Sequence, residues 1–213
     1  MQLVLDRSGS MLDVKSEGRT KAEVLRKSAT VLADVAPPEM AIGATTYDED
    51  AQDFLAITLL GDRATGAGRA TLRGAITGYA PNASGFTATG DGIERAKLRL
   101  EAATGFDNRA MIVLTDGKDT AAKSVAEVAD GVIDSAVFAI GLGTAEQIDP
   151  GTLTTLAGAP GGYMLMTGLL TSDDQSCSRS TTCRSLPASA TRTSSSTLKA
   201  GSRRGWRRAS PST

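Results

Sequence analysis

Short apolar runs alternate with amphipathic stretches along the first 168 residues of the chain. A run at 2–5 is followed by an apolar stripe over 20–35, which predicts a strand and then a helix that a pair of prolines ends. The next two runs, 40–48 and 53–60, are short and partly β-branched, and the acidic residues 48–50 separate them. This spacing predicts a β-hairpin.

The alternation continues through the second half of the body. The pattern predicts, in order, a helix at 70–79, a loop at 81–92, a helix with Ile93, Ala96, Leu100 and Ala103 on its buried face, a strand at 109–117, a helix at 121–131, a strand at 135–143, a helix at 146–157 and a strand at 162–168. Apolar runs that alternate with helices are typical of a parallel sheet covered on both faces. We therefore predict a doubly wound α/β domain with a mainly parallel sheet.

The charges divide the chain into a body and a tail. All 24 acidic residues lie at or before Asp174, where the chain also carries 15 of its 23 basic residues, so the body has a net charge of −9 and the tail +8. An acidic body disfavours nucleic-acid binding and is compatible with holding cations. We predict one domain over 1–174 and a separate tail over 175–213.

Polar side chains follow the predicted strands where parallel strands would place a ligand site. In a doubly wound sheet, ligands bind outside the carboxyl ends of the strands, and three segments should meet there: "DRSGS", "GFTATG" and "LTDG". Their side chains supply two carboxylates and three hydroxyls, a set that suits Mg²⁺ or Mn²⁺ better than zinc or copper. The candidate metal ligands are Asp6, Ser8, Ser10, Thr87 and Asp116.

These three motifs, in this order, resemble the von Willebrand factor A domains and their metal-ion-dependent adhesion site (MIDAS). The resemblance covers roughly residues 2–168 and implies a Rossmann-like fold. It also implies that Ser8, Ser10 and Thr87 ligate the ion directly and that Asp6 and Asp116 bind it directly or through water. An Asp or Glu side chain of a protein partner would complete the coordination shell, and the domain itself would not be an enzyme.

Two further acidic residues lie near the motifs, and an enzymatic function is the alternative to this interpretation. Asp13 and Asp119 are close in sequence to the candidate ligands, but we interpret them as solvated loop charges. A magnesium-dependent phosphohydrolase of the haloacid-dehalogenase type would use Asp6 as nucleophile. That type requires a second Asp two residues later, where this chain has Ser8, and a positioned lysine, for which the sequence gives no signal.

The tail has a composition that cannot form a hydrophobic core. Residues 175–213 contain no acidic residue, 17 Ser or Thr and eight Arg or Lys, which predicts disorder. One interpretation is a basic nucleic-acid-binding arm, with the tryptophan of "RRGWRR" available for stacking. A second interpretation is out-of-frame sequence: permissible codons from Gln175, read from the third base, encode the amphipathic run Val-Leu-Leu-Ala-Lys-Tyr-Tyr-Leu-Gln-Ile-Leu-Ala. A frameshift would then have replaced the final helix of the domain.

Missing residue types and segments exclude several functions. The chain contains no histidine, which removes Ser-His-Asp and Cys-His catalysis and most zinc sites. Both cysteines, Cys177 and Cys183, lie in the tail, so no disulfide framework supports the body. The sequence has neither an 18-residue apolar run nor a signal-peptide pattern at its N-terminus, and we predict a cytoplasmic location.

Overall fold

The computed structural model describes most of the body of the chain. The described residues are 1–14, 18–116, 119–120, 123–132, 137–143 and 148–157, together with the backbone of the strand at 163–166. The predicted tail over 175–213 lies outside the described residues. Its disorder, its out-of-frame origin and its nucleic-acid-binding role therefore stay predictions.

A six-stranded sheet forms the centre of the fold. Its strands are β1 (Gln2–Asp6), β2 (Ala41–Tyr47), β3 (Ala51–Leu59), β4 (Met111–Thr115), β5 (Val137–Gly141) and β6 (Tyr163–Met166). The helices are α1 (Lys21–Val35), α2 (Ala67–Gly78), α3 (Thr89–Ala102), α4 (Val125–Val132) and α5 (Pro150–Ala157), and a short 3-10 helix spans Gly9–Leu12. Every adjacent strand pair is parallel except β2 and β3, which form the antiparallel hairpin.

The strand order places a topological switch point beside β1. The sheet runs β3-β2-β1-β4-β5-β6, so the chain leaves β1 towards β2 on one side and later returns to pair β4 on the other. Loops that follow β1 and β4 therefore diverge at the same end of the sheet, which is where α/β sheets bind ligands. The register pairs Leu5 with Leu114, so Asp6 at the end of β1 and Asp116 just after β4 lie at neighbouring strand ends.

Two apolar clusters cover the two faces of the sheet. Successive side chains of β1 point to opposite faces, as strand geometry requires. Leu3 and Leu5 pack with Leu25 of α1 and Leu72 of α2. Val4 packs in the other cluster, whose helical members include Ile93, Ala96, Val128 and Leu153 from α3, α4 and α5. The domain is thus three layers, helix, sheet and helix, as the sequence predicted.

The sequence correctly predicted the order and type of the strands and α-helices, but it missed the 3-10 helix at Gly9–Leu12 and the exact ends of some elements. The loop predicted over 81–92 is shorter, because α3 begins at Thr89. Ala103, predicted on the buried face of that helix, is its half-buried C-cap residue instead. No helix within the described ranges is long and apolar enough to cross a lipid bilayer.

Candidate metal centre

Three oxygen atoms of the first loop lie together at the end of β1. Asp6 is the last residue of that strand, and Ser8 and Ser10 follow it in the turn that enters the 3-10 helix. Ser8 Oγ lies 2.5 Å from Asp6 Oδ1 and 3.0 Å from Ser10 Oγ, and the Ser8 N–H donates to the same Oδ1 over 2.9 Å. The carboxylate of Asp6 and the hydroxyls of Ser8 and Ser10 are therefore linked in one chain of hydrogen bonds.

Hydrogen bonds join the second loop to the first and the third. Gly9 N–H donates to the Gly85 carbonyl oxygen over 3.0 Å. Thr87 N–H donates to Thr120 Oγ1 over 2.9 Å, and Thr120 N–H donates back to the Thr87 carbonyl oxygen over 3.0 Å. Thr87 is 3% exposed. The three loops predicted to converge therefore do meet at one end of the sheet.

Asp116 is fully buried after β4 and is paired with a lysine. Lys21 Nζ lies 2.8 Å from Asp116 Oδ2, and the lysine side chain is only 1% exposed. The same Nζ lies 3.3 Å from Oδ2 of Asp13, whose side chain is 57% exposed. Lys21 is the first residue of α1, so the start of that helix delivers a positive charge to the candidate site.

Hydroxyl groups surround the remaining oxygens of Asp6. Thr115 Oγ1 donates to Asp6 Oδ2 over 2.7 Å, and the Tyr47 hydroxyl donates to the same atom over 3.3 Å. The Tyr79 hydroxyl donates to the Asp6 backbone carbonyl. Burial and the neighbouring Asp6 charge raise the pKa of both tyrosines, so both remain protonated donors at neutral pH.

The pKa of Asp6 reflects a carboxylate held out of water beside a second one. Burial, and after it the charge of Asp116, raise this pKa from 3.8 to about 6, although hydrogen bonds from Ser8 and Thr115 act in the opposite direction. Desolvation and a like charge both disfavour the ionised form. A bound cation would relieve both effects.

The donor set fits a hard divalent cation. Octahedral Mg²⁺ with bonds of about 2.1 Å brings neighbouring ligand oxygens to about 3.0 Å from each other. The Ser8 and Ser10 hydroxyl oxygens, 3.0 Å apart, match that spacing, whereas Ser8 Oγ and Asp6 Oδ1, 2.5 Å apart, are joined by a hydrogen bond. In the part of the chain that the structure describes, no three Cys, Asp or Glu side chains are grouped to hold a metal ion. A metal site here would therefore depend on hydroxyls as well as carboxylates.

The structure corrects the interpretation of Asp119 as a solvated loop charge. Its side chain accepts from the Thr89 N–H over 3.3 Å and from the Val125 N–H over 3.0 Å. Asp119 thus accepts hydrogen bonds from the first N–H group of both α3 and α4. A carboxylate is favourable there because the N–H groups at a helix N-terminus have no partner within the helix and carry a partial positive charge. Asp13, by contrast, is exposed as expected, apart from its contact with Lys21.

Three residues at the site were missed by sequence reasoning. Lys21, Tyr47 and Thr115 all contact a candidate ligand, yet none was predicted as a site residue, and Lys21 and Tyr47 lie outside the three motifs. Lys21 is 95 residues from Asp116 in sequence, so no local pattern could have paired them. Thr115 was the one with a usable signal, since it directly precedes Asp116 within "LTDG".

The buried lysine also changes one premise of the enzymatic alternative. The sequence suggested no positioned lysine, and that inference was wrong. Among the contacts of its ammonium group, however, the carboxylates are Asp116 and Asp13 rather than Asp6. Asp6 itself is fully buried with both carboxylate oxygens hydrogen-bonded, which is a poor arrangement for a nucleophile.

Comparisons with known proteins give a family and several related folds. The model of the von Willebrand factor type A domain matches residues 1–172. None of the curated proteins matches the chain. The structure of the conserved hypothetical protein BatB from Bacteroides thetaiotaomicron superposes with a TM-score of 0.62 at 21% identity, covering 78% of this chain and 88% of that one.

Two further structures share the fold. A von Willebrand factor type A protein from Catenulispora acidiphila superposes with a TM-score of 0.60 at 23% identity, covering 78% of this chain and 37% of that one. Proximal thread matrix protein 1 from the mussel byssus, with zinc in its MIDAS motif, superposes with a TM-score of 0.55 at 21% identity. That superposition covers 77% of this chain and 40% of the mussel protein.

Proposed function

This chain belongs to the von Willebrand factor type A domain family, and from that premise we propose that it binds a protein partner through a divalent cation. The ion would be held at the end of β1 and β4 and would accept an Asp or Glu side chain of the partner. The proposed ligands are Asp6, Ser8, Ser10, Thr87 and Asp116.

The observation that carries this proposal is the close grouping of first-loop oxygens at the switch point of the sheet. Asp6 Oδ1, Ser8 Oγ and Ser10 Oγ form a chain with separations of 2.5 and 3.0 Å. A purely structural turn would gain little from burying Asp6 completely beside a second buried carboxylate, since the charge of Asp116 raises the cost of ionising Asp6. A dication would compensate both charges.

The chain's own residues explain why such a site would attract an acidic ligand. Hydroxyl ligands add no negative charge, so only Asp6 and Asp116 offset the charge of the ion. Mg²⁺ usually keeps several waters in proteins, and a partner carboxylate could replace one of them. The hydrogen bonds from Ser8 and Thr115 would meanwhile hold the Asp6 side chain in one orientation.

We propose Mg²⁺ or Mn²⁺ as the resident ion because all five proposed ligands are oxygen atoms. Such ligands suit hard cations, whereas zinc generally prefers nitrogen and sulfur. The zinc in the MIDAS of the mussel protein shows that this type of site can also take zinc. Titrations of this protein should therefore compare Mg²⁺, Mn²⁺ and Zn²⁺ at matched concentrations.

Capture of a partner with and without the ion tests the proposal. Immobilised full-length chain should retain a partner from lysate in Mg²⁺ and release it in EDTA, and purified partner should then bind with the same dependence. Asp6→Asn should abolish the Mg²⁺-dependent binding and leave the circular dichroism spectrum unchanged. Glu101→Gln removes an equal charge from an exposed position of α3 and should have no effect. Binding that survives both EDTA and Asp6→Asn would refute the proposal.

We infer further that the site is not catalytic, because Asp6 is buried and both its carboxylate oxygens accept hydrogen bonds. Incubation with Mg²⁺ and p-nitrophenyl phosphate checks this inference. No release of nitrophenol above a protein-free control is expected. Hydrolysis that is lost in Asp6→Asn would instead favour the phosphohydrolase alternative.

The cytoplasmic location and the lack of nucleic-acid binding by the body stay predictions. Cell fractionation tests the first. A DNA-binding assay of the chain shortened to residues 1–174 tests the second, and no salt-sensitive binding is expected from that acidic segment.

A further inference from the structure

Lys21 places a fixed positive charge against one of the proposed metal ligands. Its Nζ lies 2.8 Å from Asp116 Oδ2, and both side chains are almost completely buried, at 1% and 0% exposure. Two contacts with Asp13 also fix the position of Lys21. The Lys21 N–H donates to the Asp13 carbonyl oxygen over 3.1 Å, and the Asp13 carboxylate lies 3.3 Å from the ammonium group.

Burial of the Lys21 ammonium group requires a compensating interaction, because removing an ammonium group from water costs free energy. Lysine is almost never fully buried unless it is paired, and burial of the pair is itself weak evidence of a gain in stability. Lys21 is also the first residue of a helix that already has a complete capping box between Thr20 and Glu23. The helix start therefore does not require the buried ammonium.

The lysine changes the charge balance of the proposed site. Among the buried side chains, Asp6 and Asp116 contribute two negative charges and Lys21 one positive charge, so these three sum to −1; Asp13 also contacts the ammonium group, but its side chain is 57% exposed and its charge is screened by water. A dication would bring the total to +1, whereas the same site without Lys21 would become neutral. Charges a few ångströms apart in a buried site interact strongly, so one unit matters both for the ion and for any anionic ligand.

We propose that Lys21 sets the charge of this site, weakening dication binding and leaving the loaded site net positive, so that an incoming carboxylate is favoured as the last ligand. The inference rests on the proposed function and deepens it. It makes Lys21 a positioning residue for Asp116 and a determinant of selectivity for anionic partners. The lysine also supplies the counter-charge for Asp116 when no dication is bound.

A purely structural role for Lys21 predicts a different pattern of effects. Loss of a structural ion pair would lower stability and weaken all binding at the site together. The charge-setting role predicts opposite changes: the affinity for the dication rises, and the affinity of the loaded site for a carboxylate falls. Measuring both affinities in the same variants therefore separates the two roles.

The test uses the full chain and two variants, Lys21→Met and Lys21→Gln. Lys27→Met is the matched control, because Lys27 lies on the exposed side of the same helix. Titration of Mn²⁺, followed by loss of the free-ion electron paramagnetic resonance signal, gives the dissociation constant of the ion. Line broadening of ¹³C-acetate at saturating Mn²⁺ then reports the access of a carboxylate to the bound ion.

Both Lys21 variants should bind Mn²⁺ more tightly, on the order of tenfold, and should broaden acetate less at saturation. Lys27→Met should match the wild type in both measurements. Unchanged Mn²⁺ affinity in both Lys21 variants would overturn the proposal, and so would parallel losses of ion and acetate binding in a variant with native circular dichroism.

Folding of the variants is itself informative. Removing one partner of a buried pair is destabilising, so Lys21→Met is expected to fold less well in EDTA. Because the dication would replace the ammonium as the counter-charge of Asp116, Mn²⁺ should restore its folding. If neither Lys21→Met nor Lys21→Gln folds even in saturating Mn²⁺, the proposal is wrong.

The same experiment distinguishes failure of this inference from failure of the proposed function. If the wild type binds Mn²⁺ and the variants bind it equally well, the charge-setting role of Lys21 is refuted while the proposed ion-dependent function stands. If the wild type binds no ion while Lys21→Met does, the proposed function falls and the charge-setting role is supported. If no form of the chain binds Mn²⁺, both are overturned.

Discussion

At the scale of single residues, the unusual group is a carboxyl that is costly to ionise. Asp6 is completely buried, and its pKa is raised to about 6 by that burial and by the charge of Asp116. Four donors nevertheless point at its side chain, from the Ser8 N–H and from the hydroxyls of Ser8, Thr115 and Tyr47. The fold holds this group in one orientation at the expense of stability near neutral pH.

The raised pKa predicts a stability difference that depends on pH in the presence of EDTA. The unfolded chain releases the Asp6 proton near pH 3.8, and the folded chain releases it near pH 6, so the folded state binds more protons between these values. The free energy of unfolding of the wild type should therefore fall, relative to Asp6→Asn, by about 2 kcal/mol as the pH rises from 4 to 7. Urea unfolding across this range measures the difference.

The comparison with Asp6→Asn isolates one group, because every other carboxyl titrates in both proteins. Saturating Mg²⁺ should remove the wild-type loss of stability at pH 7, since the ion would offset the charge of Asp6. Unfolding free energies of the two proteins that run parallel from pH 4 to 7 would contradict the account of this residue.

A second residue-scale prediction concerns the close approach of the first two loops. A Cβ at Gly9 would lie 2.8 Å from the Ala83 carbonyl oxygen, which is closer than packing tolerates. Gly9→Ala should push the first loop away from the second, destabilise the fold by about 1–3 kcal/mol and weaken Mn²⁺ binding at least tenfold. Isothermal titration and urea unfolding measure the two effects.

Gly74→Ala is the control for this change. Gly74 is exposed in α2, and a Cβ there would meet nothing within 4 Å. The substitution should stabilise the helix by about 0.5–1 kcal/mol without altering Mn²⁺ affinity. Equal effects of the two substitutions on ion binding would show that the contact at Gly9 does not shape the site.

At the scale of elements, both ends of α1 are fixed by side-chain contacts. Thr20 Oγ1 accepts from the Glu23 N–H over 3.2 Å, and Glu23 accepts from the Thr20 N–H over 2.9 Å. At the other end, the buried guanidinium of Arg69 in α2 donates to the carbonyl oxygens of Ala33, Ala36 and Gly61. Because α1 begins at Lys21, its placement also decides where the buried ammonium lies.

The contacts of Arg69 predict a large difference between two arginines one turn apart on α2. Arg69→Met would leave several buried carbonyls without their donors, and we expect a loss of about 3 kcal/mol or more. Arg73 forms only a half-exposed ion pair with Asp34, so Arg73→Met should cost at most about 1 kcal/mol. Chemical denaturation measures both values, and similar losses would contradict the role assigned to Arg69.

The elements were predictable from the sequence to a greater extent than the contacts between them. Period and turn signals correctly predicted the β2–β3 hairpin and every α-helix of the described body, though not the 3-10 helix at Gly9–Leu12, because these signals depend on neighbouring residues. The start of α3 was missed, since Thr89 lies within a stretch rich in Gly and Thr that is typical of loops. The partners of Asp119 and Lys21 were missed because they depend on how distant loops pack.

At the scale of the whole molecule, the chain joins an acidic body to a basic tail. The family model ends at residue 172, and the net charge changes sign after Asp174. We propose that residues 1–174 carry the ion-dependent function. The tail, whether a genuine segment or out-of-frame sequence, should contribute only salt-sensitive attraction to polyanions.

Removal of the tail tests this division. A chain that ends at Asp174 should keep the melting temperature and the Mn²⁺ affinity of the full chain. Any binding of the full chain to DNA should weaken steeply with salt and disappear on truncation. A truncated chain that no longer binds Mn²⁺, or that melts much earlier, would show that residues 175–213 belong to the functional unit. Sequencing the gene from independent isolates would decide the reading frame separately.

The central claim is that one divalent cation sits between the loops that follow β1, precede α3 and follow β4. Anomalous diffraction from crystals grown with Mn²⁺ tests it most directly. The account predicts one strong peak within about 2.5 Å of the hydroxyl oxygens of Ser8, Ser10 and Thr87. It also predicts that the peak is lost in crystals of Asp6→Asn. The absence of a peak at these loops in the wild type, or a peak that persists unchanged in Asp6→Asn, would contradict the account.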